Sequence, residues 1–186
     1  MKRTTLGLAV VLSAVLAVIL VAQTRTPNGG VPKFQVEPGW AKVPNNWQFG
    51  QVASVAIDEK DHVWVLQRPD TLEPAEKPRA APPLVEFDAN GNFVQAWGGP
   101  GAGYEWPKSE HGVYIDPKGF VWIGGNDKVD NQILKFTKAG KFVMQIGHAG
   151  KSKGNTDTEN LKQPADTFVH AKTNELFVAD GYGNRR

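Results

Sequence analysis

Cysteine is absent from all 186 residues. That excludes disulfide bonds and a lipid-bearing N-terminal cysteine, so stability has to come from packing, aided at most by metal. A basic cluster is absent too. The formal net charge is +2, and Lys2 and Arg3 account for it. A neutral body without a basic patch argues against nucleic acid as a partner. The glycine-rich stretch "GGPGAGYEWP" (98–107) lacks the Lys-Ser/Thr pair that completes a phosphate-binding loop, and it reads as a connection between repeated units. Long apolar runs are missing, with one exception. Leu6 to Ala22 follows the basic start "MKR" and precedes polar and turn residues. This is the layout of a secretory signal peptide over residues 1–22, with a cleavage point after Ala22. Its 17 residues stand at the lower limit for spanning a bilayer, so an uncleaved membrane anchor is the alternative. The expected location is secreted or periplasmic, with membrane contact only through that segment.

What is present points to strands and turns. Twenty glycines and thirteen prolines accompany six tryptophans and nine phenylalanines. Three stretches repeat: "ASVAIDEKDHVWVLQR" (53–68), "HGVYIDPKGFVWIGGN" (111–126) and "ADTFVHAKTNELFVADG" (165–181). Each reads as a strand, a polar turn and a second strand. The first two continue as hairpins, "LVEFDANGNFVQAWG" (84–98) and "ILKFTKAGKFVMQIG" (133–147), with Gly91 and Gly140 at turn positions that favour positive φ. Four short antiparallel strands at a spacing of roughly 50–58 residues are the pattern of β-propeller blades. The fold class is therefore all-β, a partial propeller of two and a half blades, at about residues 50–98, 106–147 and 161–186. Residues 23–49 form a lead-in that supplies a closing strand. The last unit stops after its second strand, which reads as the N-terminal portion of a longer protein. Trp64, Trp97 and Trp122 fall on strands and are expected to pack between blades. The proline-rich stretch 69–83 reads as an extended surface loop near one channel mouth.

The repeats resemble the NHL family. "QPADTFVHAKTNELFVADGYGNRR" and the lead-in "VEPGWAKVPNNWQFGQVASVAID" resemble more narrowly the peptidyl-α-hydroxyglycine α-amidating lyases and their bacterial relatives, which are six-bladed propellers. The resemblance covers about residues 34–186. It implies a channel zinc held by three histidines from different blades, a deeper calcium held partly by backbone carbonyls, and a tyrosine and arginines around the substrate. By matching motif, His111 in "EHGVYID" is the first zinc histidine, Tyr182 in "ADGYGN" the catalytic tyrosine and Arg68 in "VWVLQR" an arginine for the substrate carboxylate. The carbonyls of Val55 and Val113 fall where calcium binds. The other two zinc histidines belong to later blades. Lys162 and Gly183 stand where the animal enzymes carry a cysteine pair.

Read from the residues alone, each has a plainer role. His111 is then a hydrogen-bonded residue at the channel mouth, Tyr182 a packing aromatic and Arg68 a solvated cation. Asp166 and Asp180 are expected to hold backbone N–H groups in turns. His62, His148 and His170 are expected at the surface. Two functions remain open: an exported binding or scaffold propeller that takes a peptide or other small extracellular ligand at the channel mouth, or, in a full-length form, a zinc-dependent lyase.

Overall fold

The computed structural model describes residues 31–186; the apolar segment read as a signal peptide lies outside the described residues. Among the described residues no helix is long and apolar enough to cross a membrane. Residues 31–38 belong to a separate short unit, in which Val31, Phe34 and Val36 are exposed.

The remainder is built from ten strands in three antiparallel sheets. The first sheet runs in the order β1 (Gln51–Ile57), β2 (Val63–Arg68), β3 (Leu84–Phe87) and β4 (Phe93–Trp97). The second repeats it with β5 (Glu110–Ile115), β6 (Phe120–Gly125), β7 (Ile133–Thr137) and β8 (Phe142–Ile146). The third holds only β9 (Asp166–Val169) and β10 (Leu176–Ala179). Each sheet is a meander of sequence neighbours, the arrangement of a propeller blade, and the chain is a partial β-propeller. The hairpin glycines behave as their positions require: Gly91 and Gly140 take φ of +75° and +76°.

Alternation along the strands decides which side chains meet between blades. Trp64, Leu66 and Leu84 leave one face of the first blade. They meet Val113, Ile115, Ile123 and Phe136 from the second, with Trp97, Tyr104 and Trp106 closing the cluster. Trp122 and Ile133 leave the far face of the second blade toward Val169, Leu176 and Val178 of the third. All three tryptophans expected between blades are there.

A polar clamp ties the first two blades together. Lys138, in the β7–β8 turn, places its ammonium 2.8 Å from Asp58 Oδ2 and 2.7 Å from Glu59 Oε2, and its backbone carbonyl accepts the Trp97 indole N–H at 2.9 Å. Burial opposes ionisation of Asp58. It is outweighed by Lys138, by the backbone N–H groups of Lys60 and His62, and by the Trp64 indole, which hold the carboxyl well below the usual range. Lys138→Met therefore strands a carboxylate whose side chain is only 1% exposed. The expected loss is about 3 kcal/mol in a denaturant titration, near the low end for a broken buried pair because three donors remain. The sign follows from the shifts. A depressed Asp58 pKa stabilises above the ordinary carboxylate value, and a raised Lys138 pKa stabilises below the ordinary ammonium value. The gap between wild type and variant should therefore narrow below about pH 4 and above about pH 10.4. A gap that stays constant with pH would remove the clamp from the account.

Two expectations change. Within its described residues, 31–49, the lead-in forms no strand of its own. Residues 40–49 make only isolated bridges, Lys42 to Asn92 and Gln48 to Ala80, and lie across the first blade, with Trp40 against Phe87 and Trp47 against Phe93. These rings bury apolar area against β3 and β4. The stretch 69–83 is not extended either. It contains two 3₁₀ turns, Pro69–Thr71 and Lys77–Arg79, and returns to the sheet where the buried Gln67 amide donates to Ala81 O at 2.8 Å.

The lead-in covers Val85 and Phe87 of β3 but leaves Val55 and Ile57 of β1, on the same face, about half exposed. Phe168 and Phe177, which pair across the third sheet, are equally open. Such faces favour self-association. The chain from residue 23 onward should show a mass that rises with concentration in light scattering, and Val55→Glu with Phe177→Glu should lower it. A sharp monomer at all concentrations contradicts this.

Candidate functional site

The innermost strand of each complete blade carries a bulge at the same repeat position. In β5 the register passes from Glu110–Gly125 to Gly112–Gly124, which leaves His111 as the extra residue. In β1 it passes from Val52–Gln67 to Ser54–Leu66, which leaves Ala53. A bulge re-aims its side chain and is a common device beside functional sites. The first blade places a methyl group at this position and the second an imidazole. Glycine follows His111 because the third blade comes close: a Cβ on Gly112 would lie 3.1 Å from the Ala165 carbonyl oxygen.

The last positions of the first two quoted repeats lie beside it. Arg68 ends β2, and Asn126 stands at the equivalent place after β6. Arg68 donates through Nε to the Glu110 carbonyl oxygen at 2.7 Å and through Nη2 to Asn126 Oδ1 at 3.3 Å. Its Nη1 lies 3.4 Å from Gln51 Oε1. Ser109 Oγ donates to Asn126 Oδ1 at 2.9 Å, and Asn126 Nδ2 is 3.4 Å from His111 Nδ1. On the other side of the imidazole, Nε2 is 3.1 Å from the Tyr182 hydroxyl, with the rings edge to face at 5.1 Å between centroids. Arg68, His111 and Tyr182 thus come from three different blades and join through one chain of polar contacts.

Tyr182 is held by its turn. The buried Asp180 accepts the Lys162 N–H at 2.7 Å, the Asn184 amide at 2.7 Å and Arg186 Nε at 2.9 Å. This bears out the structural reading of Asp180, and the Tyr182 ring projects from the turn with 58% exposure. Among the described residues Asp166 accepts only its neighbour's N–H, from Thr167 at 2.7 Å. Gly183 N–H donates to the Lys162 carbonyl at 3.1 Å, so the two positions matched to a cysteine pair are adjacent.

Burial lowers the pKa of His111, the Arg68 guanidinium lowers it further, and Asp166 pulls weakly the other way. The imidazole is therefore neutral at pH 7, the form that ligates metal. Glu110, one residue away, is raised by burial despite the Trp106 indole N–H at 2.7 Å.

Val55 and Val113 hold equivalent positions, opposite Val65 and Ile123. The Val113 N–H points away from β6 to Ser54 Oγ at 3.3 Å. In an antiparallel strand a residue's carbonyl points to the same side as its N–H, so the Val113 oxygen faces away from β6 too. Arg68 is held by its contacts rather than solvated. His148 and His170 lie in surface turns as expected, but His62 does not. Its Nδ1 meets the buried Glu86 Oε1 at 2.6 Å, because Trp64 and Glu86 are cross-strand partners and draw the carboxylate inward. Asp58, His62 and Glu86 lie close enough to one another to suit a metal ion. Their oxygens are already taken by Lys138, Trp64 and, at 2.5 Å from Glu86 Oε2, Gln95. A hollow of about 630 Å³, lined by His148, Lys153 and Glu159 among others, shares no residue with the Arg68–His111–Tyr182 cluster.

Among the described residues the cluster offers zinc a single imidazole. Zinc sites use three or four protein ligands. His111 therefore fits as one ligand of a set and does not make a site by itself.

No protein-family profile matches the chain. Among curated proteins it is 26% identical over 150 residues to peptidylglycine alpha-amidating monooxygenase of Rattus norvegicus, covering 74% of this chain and 15% of that protein. It is 26% identical over 159 residues to peptidyl-glycine alpha-amidating monooxygenase A of Xenopus laevis, covering 76% and 16%. It is also 38% identical over 77 residues to a probable peptidyl-alpha-hydroxyglycine alpha-amidating lyase of Caenorhabditis elegans, covering 41% and 21%. The chain spans about a sixth of the length of the first two and a fifth of the third.

Proposed function

We propose that this chain contributes part of the active site of a lyase that splits a peptidyl-α-hydroxyglycine into a peptide amide and glyoxylate. One observation carries the reading. Arg68, His111 and Tyr182, each picked out by motif, converge from three blades within hydrogen-bonding reach of a shared network. The similarity to a probable lyase of this class supports it.

In this reading Arg68 binds the substrate carboxylate. Its Nε is fixed by Glu110 O, and the carboxylate would take Nη1 and Nη2 as a bidentate pair in place of their longer contacts to Gln51 and Asn126. Tyr182 stands where it can accept the proton of the substrate hydroxyl. The electrons of that O–H bond form the new carbonyl, the C–N bond breaks, and the departing amide nitrogen takes the Tyr182 hydroxyl proton, which the substrate proton replaces. Before metal is bound, His111 holds the Tyr182 oxygen in place through Nε2, the atom it would give to zinc. Zinc, with His111 as one ligand, would supply the Lewis acidity that lowers the pKa of the hydroxyl. The carbonyl oxygens of Val55 and Val113 belong to the same reading as donors for calcium, which takes oxygen ligands. Membership of the NHL repeats, export through residues 1–22 and a secreted or periplasmic location are part of it as well.

This reading expects a longer form of the protein that carries two further channel histidines, and the test uses that form. It should release glyoxylate from a peptidyl-α-hydroxyglycine, whereas the 186-residue chain should bind zinc weakly and show no turnover. A longer form that binds zinc and substrate yet releases no glyoxylate would overturn the reading. A second reading rests on the Arg68 guanidinium alone. In it the propeller is a binding module that holds a carboxylate-bearing peptide at Arg68 without chemistry.

A further inference from the structure

The contacts around Asn126 admit only one assignment of protons. An arginine carries donors and no acceptor. Arg68 Nη2 approaches one end of the Asn126 amide at 3.3 Å, so that end is the oxygen. Ser109 Oγ donates to the same atom at 2.9 Å. The backbone of Asn126 is fixed as well, its N–H on Ser109 O at 2.9 Å and its carbonyl on Gln163 Nε2 at 2.6 Å. The NH₂ end therefore faces His111 Nδ1, at 3.4 Å. An amide NH₂ only donates, so Nδ1 presents its lone pair. The one proton of the neutral ring is then on Nε2, from which it is donated to the Tyr182 oxygen at 3.1 Å. The hydroxyl hydrogen of Tyr182 is left to point elsewhere.

We infer that Asn126 is the positioning residue of this site, holding His111 as the Nε2–H tautomer under the control of Arg68 and Ser109. Neither motif nor comparison names Asn126. A consequence for metal follows, and it rests on the lyase reading. Ligation through Nε2 needs the proton on Nδ1, with an acceptor facing it. The Asn126 amide must then turn to present Oδ1, which would set its NH₂ against the Arg68 guanidinium. A substrate carboxylate that engages Nη2 removes this opposition. Occupation of Arg68 and the readiness of His111 to ligate are thereby coupled through one amide.

The tautomer itself can be read without metal or activity. Magic-angle-spinning spectra of the full chain with ¹⁵N-labelled histidine, at a pH about two units above the ordinary imidazole value, resolve bare from protonated ring nitrogens. His111→Gln assigns the signals. Wild type should show His111 with a bare Nδ1 and a protonated Nε2. Asn126→Asp presents only acceptors, so it should move the proton to Nδ1. A purely structural Asn126 would change stability and leave the tautomer alone. A wild-type ring protonated on Nδ1 overturns the inference, as does a folded Asn126→Asp chain with the proton still on Nε2. If that variant does not fold, the wild-type spectrum alone decides. Absence of glyoxylate release from the longer form would sink the lyase reading and leave the tautomer standing.

Discussion

Tyr182→Phe should slow glyoxylate release from the longer form by roughly 10²–10⁴, the range for loss of a general acid or base. The change removes one oxygen and keeps the ring. The edge-to-face contact with His111 at 5.1 Å should survive, and so should the turn, which Asp180 organises without help from the phenol. Substrate affinity, set in this reading by Arg68, should change little, so the loss should fall on kcat rather than KM. Zinc content should be unaffected, because the phenol is not counted among the ligands. Steady-state kinetics with zinc analysis on the same samples checks each part. Unchanged turnover would return Tyr182 to a packing aromatic.

His111→Ala should weaken zinc binding by the longer form more than about 100-fold. Losing an outer partner of a ligand costs about 10–100-fold, and losing the ligand itself must cost more. The alanine has a precedent in the fold, since Ala53 sits at the same bulge in the first blade, so the strand should tolerate the change. Competition with a chromophoric chelator measures the affinity directly. Because burial and Arg68 lower the His111 pKa, wild-type zinc binding should also persist somewhat below pH 6.5, the ordinary imidazole value, before protons displace the metal. Equal affinity in wild type and His111→Ala would defeat the ligand assignment.

Much of this architecture was legible in the residues because it is local. Alternating strands, hairpin glycines at 91 and 140 and aromatic positions repeated between units are each set within a few residues. The site was legible in part. Arg68, His111 and Tyr182 follow from motif, yet the bulge that aims His111 leaves no mark in composition. Asn126 was missed although a signal existed: the quoted repeats 53–68 and 111–126 end on Arg68 and Asn126, equivalent positions whose side chains meet. Lys138 lies 80 residues from Asp58, and only the stacking of blades brings the two together. The described part of the lead-in forms no strand because Trp40 and Trp47 pack tilted and edge-on against Phe87 and Phe93, contacts between residues far apart in sequence. His62 misled because its partner, Glu86, is distant in sequence and adjacent only across β2 and β3.

The central claim is that the Arg68, His111 and Tyr182 cluster performs this C–N cleavage. Its most direct test is product analysis of a peptidyl-α-hydroxyglycine incubated with the zinc-loaded longer form. Glyoxylate and peptide amide are expected in equal amounts, formed faster than in the enzyme-free control. Substrate that binds and is recovered intact would contradict it.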